Sequence, residues 1–545
     1  MSRRAVTDAL ERLAFAAELL DDRRARSFGA ASWAVRNLDG EVSAMHASGE
    51  LAKTRGIGKA THEVIGEVLR GERPARLVEL EAKLPAGLFA VRKVKGLGPK
   101  KVKALWRELG VTGLAELAYA CNENRLVDLK GFGKKTQDKV LAQIREIEQN
   151  AGLHRRDRAE ALLAPVVEAL DAMGVGVRVV GDYARGLPLV RELGVLVADA
   201  DTERARDEAK QGEVEVTVHA APAAQLGAAE VWLTSSDGHR ASLERRARSR
   251  GLTFTPAGMT GDDPCPRPED FYAALGLLPT PVERRDDDVP LVEVGRSAPR
   301  LVRREDLRGA LHNHTVASDG SATLEEMRAA AEQAELEYLG ISEHSVTAFY
   351  ARGLDTERLR AQLEAVRALN ETPGCVLLTG VESDILSEGQ LDYEDGLLAS
   401  LDVVVASVHG RLSADPDVMT ARMVEAASQP YADIIGHPTG RLLLGRAPST
   451  YDMERFLDTC VETGTAVELN ANPARLDLGV EHLRMAKERG VRVSISADAH
   501  STRELEHLAH GIAVARRAGL TAEDVLNTRS EGELRQWLAA RRPGS

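Results

Sequence analysis

Between residues 307 and 500, seven short apolar runs each stop at a polar side chain. Runs 307–311, 338–342, 376–381, 403–408, 434–436, 466–469 and 491–497 lead to His312, His344, Glu382, His409, His437, Asn470 and Asp498. Six of the seven stops are His, Glu or Asp. Stretches with apolar residues at helical spacing, among them 324–335, 356–369 and 416–427, lie between the runs. This alternation predicts strand–helix units around a parallel sheet. When such a sheet closes, its C-terminal strand ends meet on one face, where chemistry is done.

The groups on that face are counted from the sequence: His312, His314, Asp319, His344, Glu382, His409, His437, Asp498 and His500. Any one of these histidines alone would read as an ordinary packed residue. Nine groups at strand ends point to a ligand cluster. One ion takes four to six ligands, so nine suggest two or three divalent ions with a bridging carboxylate. Mixed imidazole and carboxylate shells suit manganese, zinc or iron better than calcium or magnesium alone.

The strings His-x-His (312–314), Ser-Asp-Gly (318–320), Gly-x-Glu (380–382), Ser-Val-His (407–409), Gly-His-Pro (436–438) and Asp-Ala-His (498–500) resemble the PHP phosphoesterase domain. The longer strings at 436–441 and 470–478 resemble its version in bacterial family X DNA polymerases. The resemblance implies a multidomain chain: an all-α helix-hairpin-helix front, an α/β nucleotidyltransferase-like palm and a distorted (β/α)7 barrel. It further implies one ion on His312, His314, Glu382 and Asp498, a second on Glu382, His409 and His437, and a third on Asp319, His344 and His500. Glu343 departs from the family, which usually has Asp before that histidine.

Net charge is −13, which argues against nucleic acid until its distribution is seen. Residues 1–150 carry 27 Lys and Arg against 20 Asp and Glu, leaving the acidic excess to the rest. A basic front suits a polyanion. Helical spacing over 5–38, broken near 27–29, predicts two helices there. Gly56-Ile57-Gly58-Lys59, Gly96-Leu97-Gly98-Pro99-Lys100-Lys101 and Gly131-Phe132-Gly133-Lys134-Lys135 then repeat one pattern. The glycines permit the turn, the apolar residue anchors it, and free N–H groups of the next helix face a phosphate. The trailing lysines add charge without reading bases. One copy would pass for a tight turn; three read as helix-hairpin-helix motifs for DNA. By resemblance the front is lyase-like and fingers-like, with Lys53 and Lys59 as Schiff-base candidates beside the simpler role of phosphate contact.

Residues 151–258 alternate helix and strand, with strands expected near 177–181, 194–198 and 214–219. The segment 181–186 resembles the nucleotide-binding loop of the family X palm. Two metal carboxylates should follow one residue apart, but Glu192 and Gly194 stand there, and the third position falls near Glu215 or Thr217. A two-metal site without its carboxylates loses its charge stabilisation. A palm fold without polymerase chemistry is therefore expected. Residues 259–306, rich in Pro and Asp and including Asp262, read as linker, and 307–545 as the barrel domain, with a frayed end at 541–545.

No run of eighteen apolar residues and no leader occurs, and four scattered cysteines suit a reducing compartment. These features predict a cytoplasmic protein, not a membrane one. The reading is an enzyme that processes 3′ ends of gapped, nicked or broken DNA. Exonuclease, 3′-phosphatase and abasic-site cleavage all fit it. Arg411 and Arg441, just beyond two ligands, are candidate phosphate clamps, and Asn470, Asn472 and Arg475 candidates for orienting substrate. A phosphatase of a small metabolite such as histidinol phosphate, and a non-catalytic DNA-binding scaffold, are the alternatives. The hairpins speak against the first and the complete ligand set against the second.

Overall fold

A computed structural model describes residues 3–542 apart from 39, 123–124, 128, 130, 211–213 and 262. The expectations for Asp262 and for residues 543–545 lie outside the described residues. The chain forms two compact units, 1–151 and 152–545. No helix among the described residues is long and apolar enough to cross a membrane.

The first unit is all helical. Its opening helices span Arg3–Leu19 and Ala25–Arg36. The break therefore falls at 20–24 and not at 27–29. Asp21 takes a left-handed conformation, φ 59°, and the Asp22 carboxylate receives the Arg24 N–H. Gly29 sits inside the second helix, where a glycine costs little more than propensity.

The three repeats take one geometry. Gly56, Gly96 and Gly131 all have positive φ, between 86° and 98°. Ile57, Leu97 and Phe132 are buried, and each N–H donates three residues back, to Thr54, Val94 and Leu129. Helices α1 (Lys59–Leu69), α2 (Pro99–Leu109) and α3 (Lys134–Gln149) begin directly after Gly58, Gly98 and Gly133.

The second unit opens with α4 (Arg156–Ala172) and a small sheet of β1 (Arg178–Val180), β2 (Gly194–Ala198) and β3 (Thr217–Ala221). The third strand starts three residues later than expected, pinned where the Thr217 N–H meets Leu193 O. β2 and β3 run parallel, with Gly194 opposite Thr217.

Residues 265–292 are largely packed and are not a solvated linker, whereas 293–300 are exposed throughout, as a linker would be. Cys265, Phe271, Tyr272, Leu275 and Leu277 are buried in one cluster around a helix, Pro268–Ala274. The acidic run is paired: Asp286 with Arg185 and Arg517, Asp287 with the Gly238 N–H, and Asp288 with Arg484. Partners distant in sequence thus convert linker-like composition into a brace.

The barrel strands are β4 (Gly309–Ala310), β5 (Tyr338–His344), β6 (Val376–Asp384), β7 (Val403–Ser407), β8 (Ile434–Gly436), β9 (Ala466–Asn470) and β10 (Val493–Ser496), parallel and in sequential order. β5, β7, β8, β9 and β10 are buried along their whole length, as a parallel sheet covered on both faces requires. Closure between first and last strands is irregular. A parallel bridge joins Asn313 to Ala499, and the Asn527 amide donates to Gly309 O at 2.7 Å and Ile495 O at 2.8 Å. This is a distorted (β/α)7 barrel. Its N-terminal mouth is sealed: Leu534 and Leu538 of the last helix, Glu531–Arg541, pack on Tyr338, Val403, Ile434 and Ala466. That leaves the C-terminal mouth for the ligand cluster.

Candidate metal centre and nucleic-acid interface

All nine predicted ligands converge at the C-terminal mouth. Glu382, at the end of β6, is the hub. Its Oε1 lies 3.4 Å from His312 Nε2, 3.3 Å from His409 Nε2 and 3.0 Å from His437 Nε2, and its Oε2 lies 2.8 Å from His344 Nδ1. Asp498 Oδ1 lies 3.2 Å from His314 Nε2, and Asp319 Oδ1 lies 3.5 Å from His344 and 3.2 Å from His500. Three overlapping groups have ligand atoms within 4.8 Å of one another: His312, His314 and Asp498; His344, Glu382 and His409; and His314, Asp319, His344 and His500. His314 and His344 are each shared between two groups, where the resemblance implied that Glu382 is the shared ligand. Neighbouring strand ends stand ~5 Å apart, so adjoining sites share reach. His437 and Asp498 have left-handed backbones, φ 24° and 51°, the sort of strain that collects at functional sites.

A second ring of groups orients the ligands. Glu468 accepts from the His437 N–H at 2.6 Å and pairs with His312 Nδ1 at 2.7 Å, and Asp384 pairs with His409 Nδ1. Such carboxylates fix the ring that binds a metal. Sequence reasoning missed both, although a lone acid inside the apolar run 466–469 and an acid two residues after Glu382 were readable signals. Glu343 is buried and receives the Thr315 and Ser318 hydroxyls and the Thr315 N–H. It thereby fixes the turn that carries Asp319, so its departure from the family residue keeps a second-ring contact. Burial pushes its carboxyl up.

The chemistry of the donor set fits divalent ions. His312 Nε2, both nitrogens of His314, His344 Nδ1, Glu382 Oε1 and His437 Nδ1 are buried with no hydrogen-bond partner. Such atoms are costly unless something else, such as a cation, engages them. Without a cation, protons balance the acids. Burial works against charge on His344, but Glu382 and Asp319 overcome it and raise its pKa to about 10. His409 and His500 are likewise raised, against burial, to about 9 by their carboxylate neighbours. Burial, helped by His344 and His500, lowers His314 to about 3, and burial with Arg475 lowers His437.

Cation loading must therefore displace protons. Manganese added to metal-stripped protein at pH 7.5 is expected to release them, so the binding heat should change with the ionisation enthalpy of the buffer. Heats independent of buffer would contradict this. The stripped protein carries the opposite dependence. Folded pKa values above the unfolded ~6.5 give stabilisation that is complete below that pH. This stabilisation is lost as pH rises through about 9 to 10.

Of the other predicted residues, Arg475 is at the centre, its Nε 3.6 Å from Asp498 Oδ2. Asn470 is buried and donates to Asp498 Oδ2 at 3.0 Å and Glu468 Oε2 at 3.1 Å, so it orients a ligand and not substrate. Asn472 closes the adjoining turn by accepting from the Ala474 N–H. Arg441 is corrected. Its Nε donates to Arg475 O at 2.9 Å and its Nη2 to Leu476 O. A guanidinium spent on main-chain carbonyls braces the turn carrying Arg475 and is no phosphate clamp. Arg411 is exposed on a left-handed turn, φ 56°.

In the first unit, Arg24, Arg26, Gly56, Gly58, Lys59 and Thr61 line one cleft of about 450 Å³. A second, of about 600 Å³, includes Arg26, Arg92, Gly96, Gly98, Lys100 and Lys101. Each predicted hairpin thus presents a helix start; the first two open on clefts lined by Arg and Lys, the second also by Glu11 and Glu18, and Lys101 stands 5.2 Å over the Phe132 ring of the third. Lys134 and Lys135 lie in the first turn of α3, both exposed. Lys53 and Lys59 are exposed too, a setting for phosphate contact and not for a desolvated Schiff-base lysine.

In the small sheet, register puts Thr217 beside Gly194, where a two-metal site would need carboxylates, while Glu192 Oε1 lies 3.0 Å from His219 Nε2. The loop 181–186 contacts the linker segment and the barrel. Arg185 binds Asp286, and a Cβ on Gly186 would stand 3.1 Å from Ala513 O in α5 (Leu508–Ala518) of the barrel.

Fold and site together define a chain with a helix-hairpin-helix front and a barrel whose mouth gathers His, Asp and Glu groups that could hold metal. Residues 90–146 match the family model "SAM-like Helix-hairpin-helix tandem". Over 99% of its own length and 99% of the relative's, the chain is 32% identical to the "DNA polymerase/3'-5' exonuclease PolX" of Bacillus subtilis (strain 168). The chain belongs to the bacterial family X DNA polymerases with a C-terminal PHP domain. Its C-terminal part is also 33% identical, over 30% of this chain and 69% of the relative, to a "Probable phosphatase" of Thermoanaerobacter sp. (strain X514). A "Probable phosphatase" of Syntrophotalea carbinolica is 28% identical over 30% of this chain and 68% of the relative.

Proposed function

We propose that the chain binds DNA and hydrolyses phosphoester bonds at 3′ ends in DNA repair, as a metal-dependent 3′–5′ exonuclease, a 3′-phosphatase or both, with abasic-site cleavage within reach of the same site. The observation that carries this is the convergence of nine candidate ligands, six of them buried, at the open mouth of the barrel. His312, His314, Glu382, Asp498, His409, His437, Asp319, His344 and His500 would hold two to three manganese or zinc ions, or iron, which when bound would supply water activation and counter-charge for phosphoryl oxygens. Glu468, Asp384 and Asn470 fix the ligands. Arg475 orients the phosphate, and Arg411 meets the strand further out. The names of the relatives, an exonuclease in one and a probable phosphatase in others, support the same chemistry. The hairpins bring gapped, nicked or 3′-ended DNA, and the compartment is the bacterial cytosol.

We read the palm as a brace without polymerase activity. Glu192, Gly194 and Thr217 stand where three metal carboxylates are needed, and the former nucleotide loop is committed to the barrel. One panel tests both halves. Purified full-length protein with manganese is given labelled DNAs bearing 3′-hydroxyl, 3′-phosphate and abasic ends, a primed template with nucleotides, and histidinol phosphate. The expected result is loss of nucleotides or phosphate from 3′ ends and no extension. Rapid hydrolysis of histidinol phosphate with every DNA end intact would favour the metabolite reading, and extension that survives Glu192→Ala would overturn the reading of the palm.

A further inference from the structure

Two aromatic side chains stand in water at the rim of the metal centre. Phe349 is 85% exposed and Tyr350 63% exposed, both on the short turn that follows His344. The turn is not a loose loop. Ala348 and Ala351 are buried beneath it. The Ser345 N–H donates to Glu382 O at 3.1 Å, the Leu354 N–H to His344 O at 2.8 Å, and the Thr347 N–H to Asp392 at 2.8 Å. Gly353 approaches so closely that a Cβ there would lie 1.9 Å from Ser345 O. An ordered scaffold thus holds two rings where they bury little of their own surface. The folded chain gains little from them as packing, which leaves a ligand as their use.

Their position says what ligand. The Tyr350 ring centroid is 6.4 Å from the His344 ring and 6.2 Å from the His409 ring, and Phe349 meets Tyr350 edge-on at 6.2 Å. Thr347 Oγ1 donates at 2.7 Å to Asp384, the acid that orients His409. The rings therefore stand one nucleotide's reach from a centre that takes a phosphate. The charges acting most strongly on the Tyr350 hydroxyl are those of Asp384, Glu382 and Asp319, with the Arg475 guanidinium behind them. Flat π-faces at the rim of a centre that takes a phosphate suit a nucleobase, since every base offers a face to stack.

We propose that Phe349 and Tyr350 are the residues that take an unpaired base at the 3′ terminus, as a stacking platform at the rim of the barrel mouth. This rests on the 3′-end reading above. A base inside a duplex already has both faces stacked and cannot use the platform, so overhanging ends should be processed in preference to blunt ones. Stacking without hydrogen-bond readout makes the preference tolerant of sequence.

The test compares full-length wild-type protein with Phe349→Ala/Tyr350→Ala, loaded with manganese and matched for metal content. The substrates are a single-stranded oligonucleotide, the same oligonucleotide lacking only its terminal base, and bis(p-nitrophenyl) phosphate. The double variant should raise KM for the intact oligonucleotide ~10- to 100-fold, the range for losing base–aromatic stacking. Its kcat and its hydrolysis of the small ester should stay unchanged. Removing the base should weaken wild type by a similar factor and leave the double variant nearly unaffected. Phe349→Trp/Tyr350→Phe should restore the KM. A double variant that still discriminates between the two oligonucleotides, or that loses the small ester equally, overturns the platform alone. Wild-type protein that hydrolyses the ester but leaves every oligonucleotide intact overturns the 3′-end reading beneath it.

Discussion

Glu382→Gln is expected to cost the enzyme ~1,000-fold or more in turnover on any phosphoester, with the fold retained. The side chain keeps its shape and loses its charge. Its two oxygens face His312, His409, His437 and His344, so the change reaches members of all three ligand groups directly. Losing one preorganised charge from a site of this kind typically costs 10²–10³-fold, and losing ions with it costs more. Bound metal should fall in parallel. The same substitution should bring the pKa values of His344 and His409 down, because Glu382 is the leading cause that raises them. Histidine titration followed by NMR in stripped protein would read that directly. A variant with full metal content and more than a tenth of wild-type turnover would show that Glu382 is no hub.

The second large effect belongs to the front of the chain. Changing Lys59, Lys100 and Lys134 together to Glu should reduce DNA affinity by two orders of magnitude or more at low salt. Each lysine opens a helix directly after its hairpin turn, or one residue in for Lys100. If each neutralises one phosphate, the slope of log affinity against log salt should flatten by about one per lysine. Hydrolysis of a small phosphoester should stay as in wild type, since the barrel is untouched. Unchanged affinity, measured by fluorescence anisotropy across a salt series, would remove the hairpins from the interface.

The sequence made the ligands legible because a parallel strand ends its apolar run where the barrel ends. A polar residue at that boundary points into the mouth, which is how His312, His344, Glu382, His409, His437 and Asp498 declared themselves. The hairpins were legible for a similar reason: three positive-φ glycines and three buried anchors recur in one order. What failed was whatever depends on a distant partner. Arg441 has the composition of a phosphate clamp, but its hydrogen bonds go to carbonyls 34 and 35 residues on. The acids 286–288 look solvated until Arg185, Arg484 and Arg517 close on them. Glu468 and Asp384 sit inside strands and act through a histidine, so they carry no motif of their own. The helix break near 27–29 was read from Gly29, while Asp21 makes the turn.

All of these effects depend on the barrel mouth being a cation site. Elemental analysis of full-length protein, purified without chelators, tests that most directly. The account predicts two to three transition-metal ions per chain, a lower number in Asp498→Ala and an unchanged number in the triple lysine variant. Wild-type protein with no bound transition metal, and none taken up from a manganese or zinc buffer, would contradict it.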